Sequence, residues 1–203
     1  MKLIVLFIFL SVLNLFATID LPMLSNSPVA DGKISVGEWD SAIKIDKFYE
    51  VKPGENLEAK QRTEVFASYD ESNIYFLVKC YDDGEKRTLH HCSRDRIETT
   101  DRVIIYFDTF NSGNKAYYIS SNQYGEQSDG IIDNGNFLSS VDLNFFSMGG
   151  DLENGYFIEF VLPLKSITYK TGKGVKWGFF LERVIEDSNI EIAISKVDSP
   201  HIS

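Results

Sequence analysis

Histidine, cysteine and tryptophan are scarce in these 203 residues, with three, two and two copies. The histidines are His90, His91 and His201. His90-His91-Cys92 has the composition of a zinc tract, but adjacent residues of an extended chain point to opposite faces. No second His or Cys cluster exists to complete a tetrahedral site. Cys80 and Cys92 are too far apart for a C-x-x-C redox pair. In an oxidising compartment they pair across a short connection, or else Cys80, at the end of an apolar strand pattern, is a buried thiol. The chain also lacks G-x-S-x-G, H-E-x-x-H and a phosphate-cradling glycine loop. Carboxylates are abundant enough to put two at glycosidase separation, but abundance selects no pair. The chain therefore reads as a protein without catalysis of its own.

Positive charge is also in deficit. Twenty Lys and Arg face thirty Asp and Glu, a formal net charge of -10. Such a surface repels nucleic acid and anionic lipid and favours neutral or cationic ligands, with carboxylates on offer to hard cations such as calcium. Only one long apolar run is present, Leu3 to Phe16, broken by Ser11 and Asn14. It follows Met1-Lys2, ends before the small Ala17, and is shorter than the ~18–20 residues a spanning helix needs. It reads as an export signal over 1–17. No Cys follows it for lipid attachment. The mature chain is expected in the periplasm, the cell envelope or outside the cell, with no membrane span after cleavage. A lead-in (18–29), one domain (30–198) large enough for a sizeable core, and a polar tail (199–203) complete the expected organisation.

What the chain has in plenty is short apolar runs between turn clusters. Glu64–Tyr69 and Ile74–Tyr81 flank Asp70-Glu71-Ser72-Asn73 as a hairpin, and the second run is apolar on both faces. Arg102–Phe107, Lys115–Ser121, Tyr156–Leu162, Trp177–Val184 and Ile190–Val197 repeat the pattern. Helical periodicity is absent beyond one turn at Pro163–Ile167. Seven or more such strands predict an all-β fold, an antiparallel β-sandwich of jelly-roll type.

An ordered series of motifs runs through these strands. It begins with Asp31-Gly32-Lys33-Ile34, Glu38-Trp39-Asp40-Ser41-Ala42, Tyr69-Asp70 and Asn73-Ile74-Tyr75-Phe76. Cys80-Tyr81-Asp82, Arg94-Asp95, Asp101-Arg102, Asp108-Thr109-Phe110 and Ala116-Tyr117-Tyr118 follow, then Asn122, Gly125 and Asp129. Gly155-Tyr156, Glu159, Leu162-Pro163-Leu164-Lys165-Ser166 and Trp177-Gly178-Phe179 close it. The series resembles the family-9 carbohydrate-binding module, in the version found at the N-terminus of large bacterial outer-membrane barrel proteins. It covers Ala30 to Val184. The resemblance implies a sandwich that binds sugar ends or short glycans, often with structural calcium and no organic cofactor, in the service of polysaccharide capture and carbohydrate catabolism. Phe137–Phe146 contains no tryptophan, where relatives of this type often carry several.

A pyranose needs an aromatic ring under its C–H face and planar polar groups for its hydroxyls. Arg94, Arg96 and Arg102, among Asp95, Glu98 and Asp101, form either a hydroxyl-binding fork or a surface ion-pair network. Of Tyr117 and Tyr118, strand alternation turns one outward as a ligand candidate. Asn122, Gln127 and Asp129 either reach ligand or close a turn. Phe145 and Phe146 are the aromatic substitutes for the missing tryptophans. Trp39 either stacks a sugar or plugs the end of the sandwich, and Trp177 belongs to the core. Asp82, Asp83, Glu98 and Asp101 are the candidate calcium ligands. Two other readings stand beside a saccharide-binding module. One is a haem- or cofactor-binding sandwich with Met148 or His90 as axial ligand. The other is a structural or adhesion module with a decayed sugar site and an envelope-protein partner.

Overall fold

The structure, a computed structural model, describes residues 21–54, 56–82, 86–172 and 175–194. The expected export signal, the tail, Asp83 and His201 lie outside the described residues. In chain order the strands are β1 (Ile43–Ile45), β2 (Tyr49–Lys52), β3 (Thr63–Tyr69), β4 (Asn73–Tyr81), β5 (Arg102–Asp108) and β6 (Lys115–Asn122). They continue with β7 (Gln127–Asp133), β8 (Asn136–Leu138), β9 (Phe146–Leu152), β10 (Gly155–Pro163), β11 (Gly178–Ile185) and β12 (Ile190–Ala193). A single 3-10 turn, Leu164–Ser166, follows β10. Two antiparallel sheets result, ordered β1-β3-β4-β10-β9 and β2-β12-β11-β5-β6-β7-β8. The sandwich expected from the strand spacing is the fold observed. No helix among the described residues is long and apolar enough to cross a membrane.

The hairpin expected at residues 70–73 forms as Asp70 dictates. Its carboxylate accepts bonds from the Ser72 and Asn73 amides (2.7 and 2.8 Å) and the Tyr75 hydroxyl (2.5 Å). Burial pulls against it, yet the donated bonds, including one from Ser27, hold this carboxyl at about 2. The lead-in runs extended beside it: Leu24 donates to the Tyr69 carbonyl, and Tyr69 to that of Pro22.

Between the sheets, alternate residues of β3, β4, β5, β10 and β11 interlock. Phe76 stacks on Phe179 at 5.5 Å and tilts against Phe107 at 5.9 Å, joining one sheet to the other. Burying each such side chain contributes roughly 1.5–3 kcal/mol. β4 is apolar on both faces because a second cluster covers its outer side, where Tyr75, Leu77 and Phe157 pack under Trp39. Trp39 arrives on a strap, residues 29–42, that crosses the outer face of the five-stranded sheet. It neither plugs the sandwich end nor presents its ring face to solvent; only 6% of it is exposed. Trp177 borders the inter-sheet core against Tyr169.

β9 packs so closely at its two glycines that side chains are excluded there: a Cβ on Gly149 would lie 1.9 Å from the Gln123 carbonyl oxygen, and one on Gly150 2.5 Å from the Phe157 ring.

Candidate functional site

Strand parity divides the larger sheet. Val103, Ile105, Phe107, Ile119, Phe179 and Leu181 face the core. The opposite parity carries Phe180, Tyr106 and Tyr118 in direct cross-strand register on β11, β5 and β6. Their rings form a stripe, with centroids 5.7 Å apart for Phe180–Tyr106 and 6.4 Å for Tyr106–Tyr118. Gly130 of β7 stands opposite Tyr118, where a Cβ would come within 2.9 Å of the ring. The missing side chain leaves room for the Tyr118 ring itself, and Phe137 of β8 meets that ring edge-on at 5.6 Å and is itself exposed.

A carboxylate flanks this stripe. Tyr106 donates to Glu182 over 3.1 Å. Burial, then the charge of Glu191, pushes the Glu182 carboxyl up to about 7. Lys52 pairs with Glu191 at 3.0 Å. On the same side of the stripe, farther along β5, Arg102 donates to the carbonyls of Glu98 and Thr100 and pairs with Glu186. Half-buried Phe180 and Tyr106, a protonatable carboxyl and a bound guanidinium thus share this face, with Tyr118 only 7% exposed among them. Such a face can stack a flat C–H surface and exchange hydrogen bonds with hydroxyls.

The residues singled out in the sequence are not gathered in one place. Tyr118 and Arg102 lie on the aromatic face, and Tyr117 is the inward partner. Arg94 reaches the opposite side of β7, donating to Gln127 Oε1 (2.5 Å), to Asp129 and to the Leu143 carbonyl. Asp129 is 1% exposed and also accepts the Leu143 amide. Phe145, 4% exposed, stacks on Phe160 in the core. Arg94, Gln127, Asp129 and Phe145 therefore form one network that fastens the 139–145 loop. Asn122 is fully buried and closes its turn onto the Tyr124 and Glu126 amides. Arg96 is exposed, and Phe146 projects, 59% exposed, from the outer face of the other sheet.

Of the candidate calcium ligands, Asp82 and Asp101 have partners within the protein. Asp82 binds Arg87 at 2.5 Å. Asp101, 3% exposed, accepts the Glu186 amide; burial pushes its carboxyl up, and the charge of the buried Arg183 opposes this. Glu98 is exposed. Arg87 and Arg183 supply positive charge beside Asp82 and Asp101. Among the described residues no three His, Cys, Asp or Glu converge as metal ligands. Cys80 and Cys92 are both free, Cys80 as a buried thiol pushed up by burial. His90 faces Thr99, and His91 stacks on Tyr124 at 4.1 Å.

The fold has close parallels. A family 9 carbohydrate-binding module from Caldicellulosiruptor kristjanssonii, solved with cellotriose, is 16% identical with a TM-score of 0.60, over 89% of this chain and 85% of that one. The same type of module from that organism, solved with glucose, matches at 15% identity and TM-score 0.61, over 86% and 83%. A candidate carbohydrate-binding protein from Bacteroides uniformis matches at 10% and TM-score 0.67, over 92% of each chain. No curated protein matches the chain. The sequence pattern of the family described as carbohydrate family 9 binding domain-like matches residues 30–197. The chain belongs to the carbohydrate family 9 binding domain-like family.

Proposed function

We infer that this protein is an exported, non-catalytic module that binds saccharide on the outer face of its seven-stranded sheet and serves glycan capture and breakdown. The observation that carries the reading is the Phe180–Tyr106–Tyr118 stripe with Glu182 beside it. A pyranose lies with its C–H face on the Phe180 and Tyr106 rings. Its hydroxyls donate to Glu182 and to the Tyr106 hydroxyl oxygen, whose own proton stays on Glu182. The cellotriose and glucose complexes of the structural relatives make neutral gluco-configured sugars the first probes. The apolar run at residues 3–16 supports export.

Calorimetry with glucose and cellotriose tests the reading. Tyr106→Ala is expected to weaken binding at least tenfold, the loss of one aromatic stack and one hydrogen bond. Binding unchanged in that variant, or absent from the parent with every glycan tried, removes the proposal.

Calcium is a separate element. If Asp82, Asp83, Glu98 and Asp101 gather around calcium, chelation lowers the melting temperature; a melt insensitive to chelator and to added calcium rejects it.

A further inference from the structure

The outer face of the five-stranded sheet carries a depression of about 380 Å³, within the range of small-ligand sites. Its floor is Phe66 of β3 and Leu77 of β4, one wall is the strap that brings Ser35, Trp39 and Asp40, and Lys44 and Lys79 close the rim. Phe66 is half-buried, with Lys79 Nζ 5.0 Å from its ring centroid. Lys44 is committed to Glu64 at 2.8 Å and to Asp46 at 3.4 Å. Among the described residues, neither Lys79 nor the Asp40 carboxylate is in an ion pair or a side-chain hydrogen bond.

An aromatic floor with one uncommitted donor and one uncommitted acceptor at its rim matches a neutral pyranose. All-equatorial hydroxyls leave a flat C–H face for the ring, while neighbouring hydroxyls pair with an ammonium on one side and a carboxylate on the other. A strongly anionic ligand would meet Asp40, and a cationic one Lys44 and Lys79. We propose that this depression is a second saccharide site, for a neutral gluco-configured unit, on the opposite face of the sandwich from the Tyr106–Tyr118 stripe. Lys79 acts as a displaceable cap. An exposed cation–π contact is weak, so a sugar ring replaces it at small cost, and the freed ammonium then binds a hydroxyl. Two sites on opposite faces let one domain bridge two glycan chains or gain avidity on one surface. The two sites share a ligand class but no residue, so each can fail alone.

The protein contains its own reporter. Its two tryptophans are Trp39, in the wall of the depression, and Trp177, against Tyr169 elsewhere. Titrating the isotope-labelled protein with cellotriose should move the Trp39 indole signal and the Phe66 and Lys79 amides, leaving the Trp177 indole unmoved. Those shifts should persist in Tyr106→Ala. In Lys79→Met, which keeps the stem and removes the charge, they should need about tenfold more sugar. Shifts confined to Tyr106, Tyr118 and Phe180 overturn the second site and leave the first. A Trp39 response lost in Tyr106→Ala, or one with unchanged affinity in Lys79→Met, also overturns it. No shift at either face overturns both readings.

Discussion

At pH 8 the Glu159→Gln protein is expected to melt above the parent, with the gap closing toward pH 4. Glu159 is fully buried on β10, between Leu77 and Met148 in cross-strand register. Its Oε2 accepts the Gly32 amide at 2.9 Å, while Oε1 is buried with no hydrogen-bond partner. Burial, then the charges of Glu38 and Asp31 against the Gly32 amide, raises this carboxyl from 4.5 to about 7. The folded protein therefore binds the proton more tightly than the unfolded chain does. Stability from this group is whole below about pH 4.5, falls as pH rises toward 7, and is flat above. The full loss is about 3 kcal/mol. Glutamine keeps an acceptor for Gly32, carries no charge, and offers an N–H to the acidic neighbours. At roughly 2–4 °C per kcal/mol for a domain of this size, the gap should be several degrees. Parallel melting curves across that pH range, or a less stable variant at pH 8, would falsify the assignment. The consequence reaches the second face, because Glu159 ties down the strap whose Trp39 walls the depression.

The second large effect is a loss. Arg183→Met should cost about 3–5 kcal/mol, read as a drop in the urea midpoint at unchanged slope. Arg183 is 1% exposed and faces inward from β11. It donates to the carbonyls of Arg62 (3.2 Å) and Tyr81 (3.0 Å) and to Thr63 Oγ1 (3.1 Å). Its charge offsets that of the buried Asp101, and its guanidinium lies 5.8 Å from the Tyr156 ring. Methionine fills the space but leaves two carbonyls without their donor and a buried acid without its countercharge. Adding Asp101→Asn to Arg183→Met should recover part of the deficit, because the uncompensated charge is then gone. A Met variant as stable as the parent, or a strictly additive double variant, would count against the account.

Arg183 shows where reading the chain alone stopped. Phe179, Leu181 and Arg183 share one parity of a strand expected from its apolar run, so the alternation itself points a guanidinium inward. Nothing local says that β3 and β4 will bring carbonyls to meet it. Tyr106, Phe180 and Glu182 were also legible only in part. The parity that turns Tyr118 outward does the same for Tyr106 in RVIIYF and for Phe180 and Glu182 in GFFLER. Their direct register across three strands depends on which strands pair. The β7–β8 hairpin carried a usable signal in Asn134-Gly135, both in left-handed conformation as a tight two-residue turn requires. β9 carried little, because FSMGGDL has glycines where Gln123 and Phe157 leave no room.

By itself the sequence determined the seven strands richest in β-branched and aromatic residues, the tight turn at Asp70, the paucity of catalytic groups and the family. Each rests on local chemistry: side-chain alternation, turn-forming carboxylates, residue counts and motif order. Tertiary structure alone decided how the functional candidates were shared out. It sent Arg94, Gln127, Asp129 and Phe145 into one network and set Arg87 beside Asp82. It also laid Trp39 across one sheet while lining up Phe180, Tyr106 and Tyr118 across the other. The physical reason is that burial and register are properties of strand pairing, and residues far apart in the chain acquire them together.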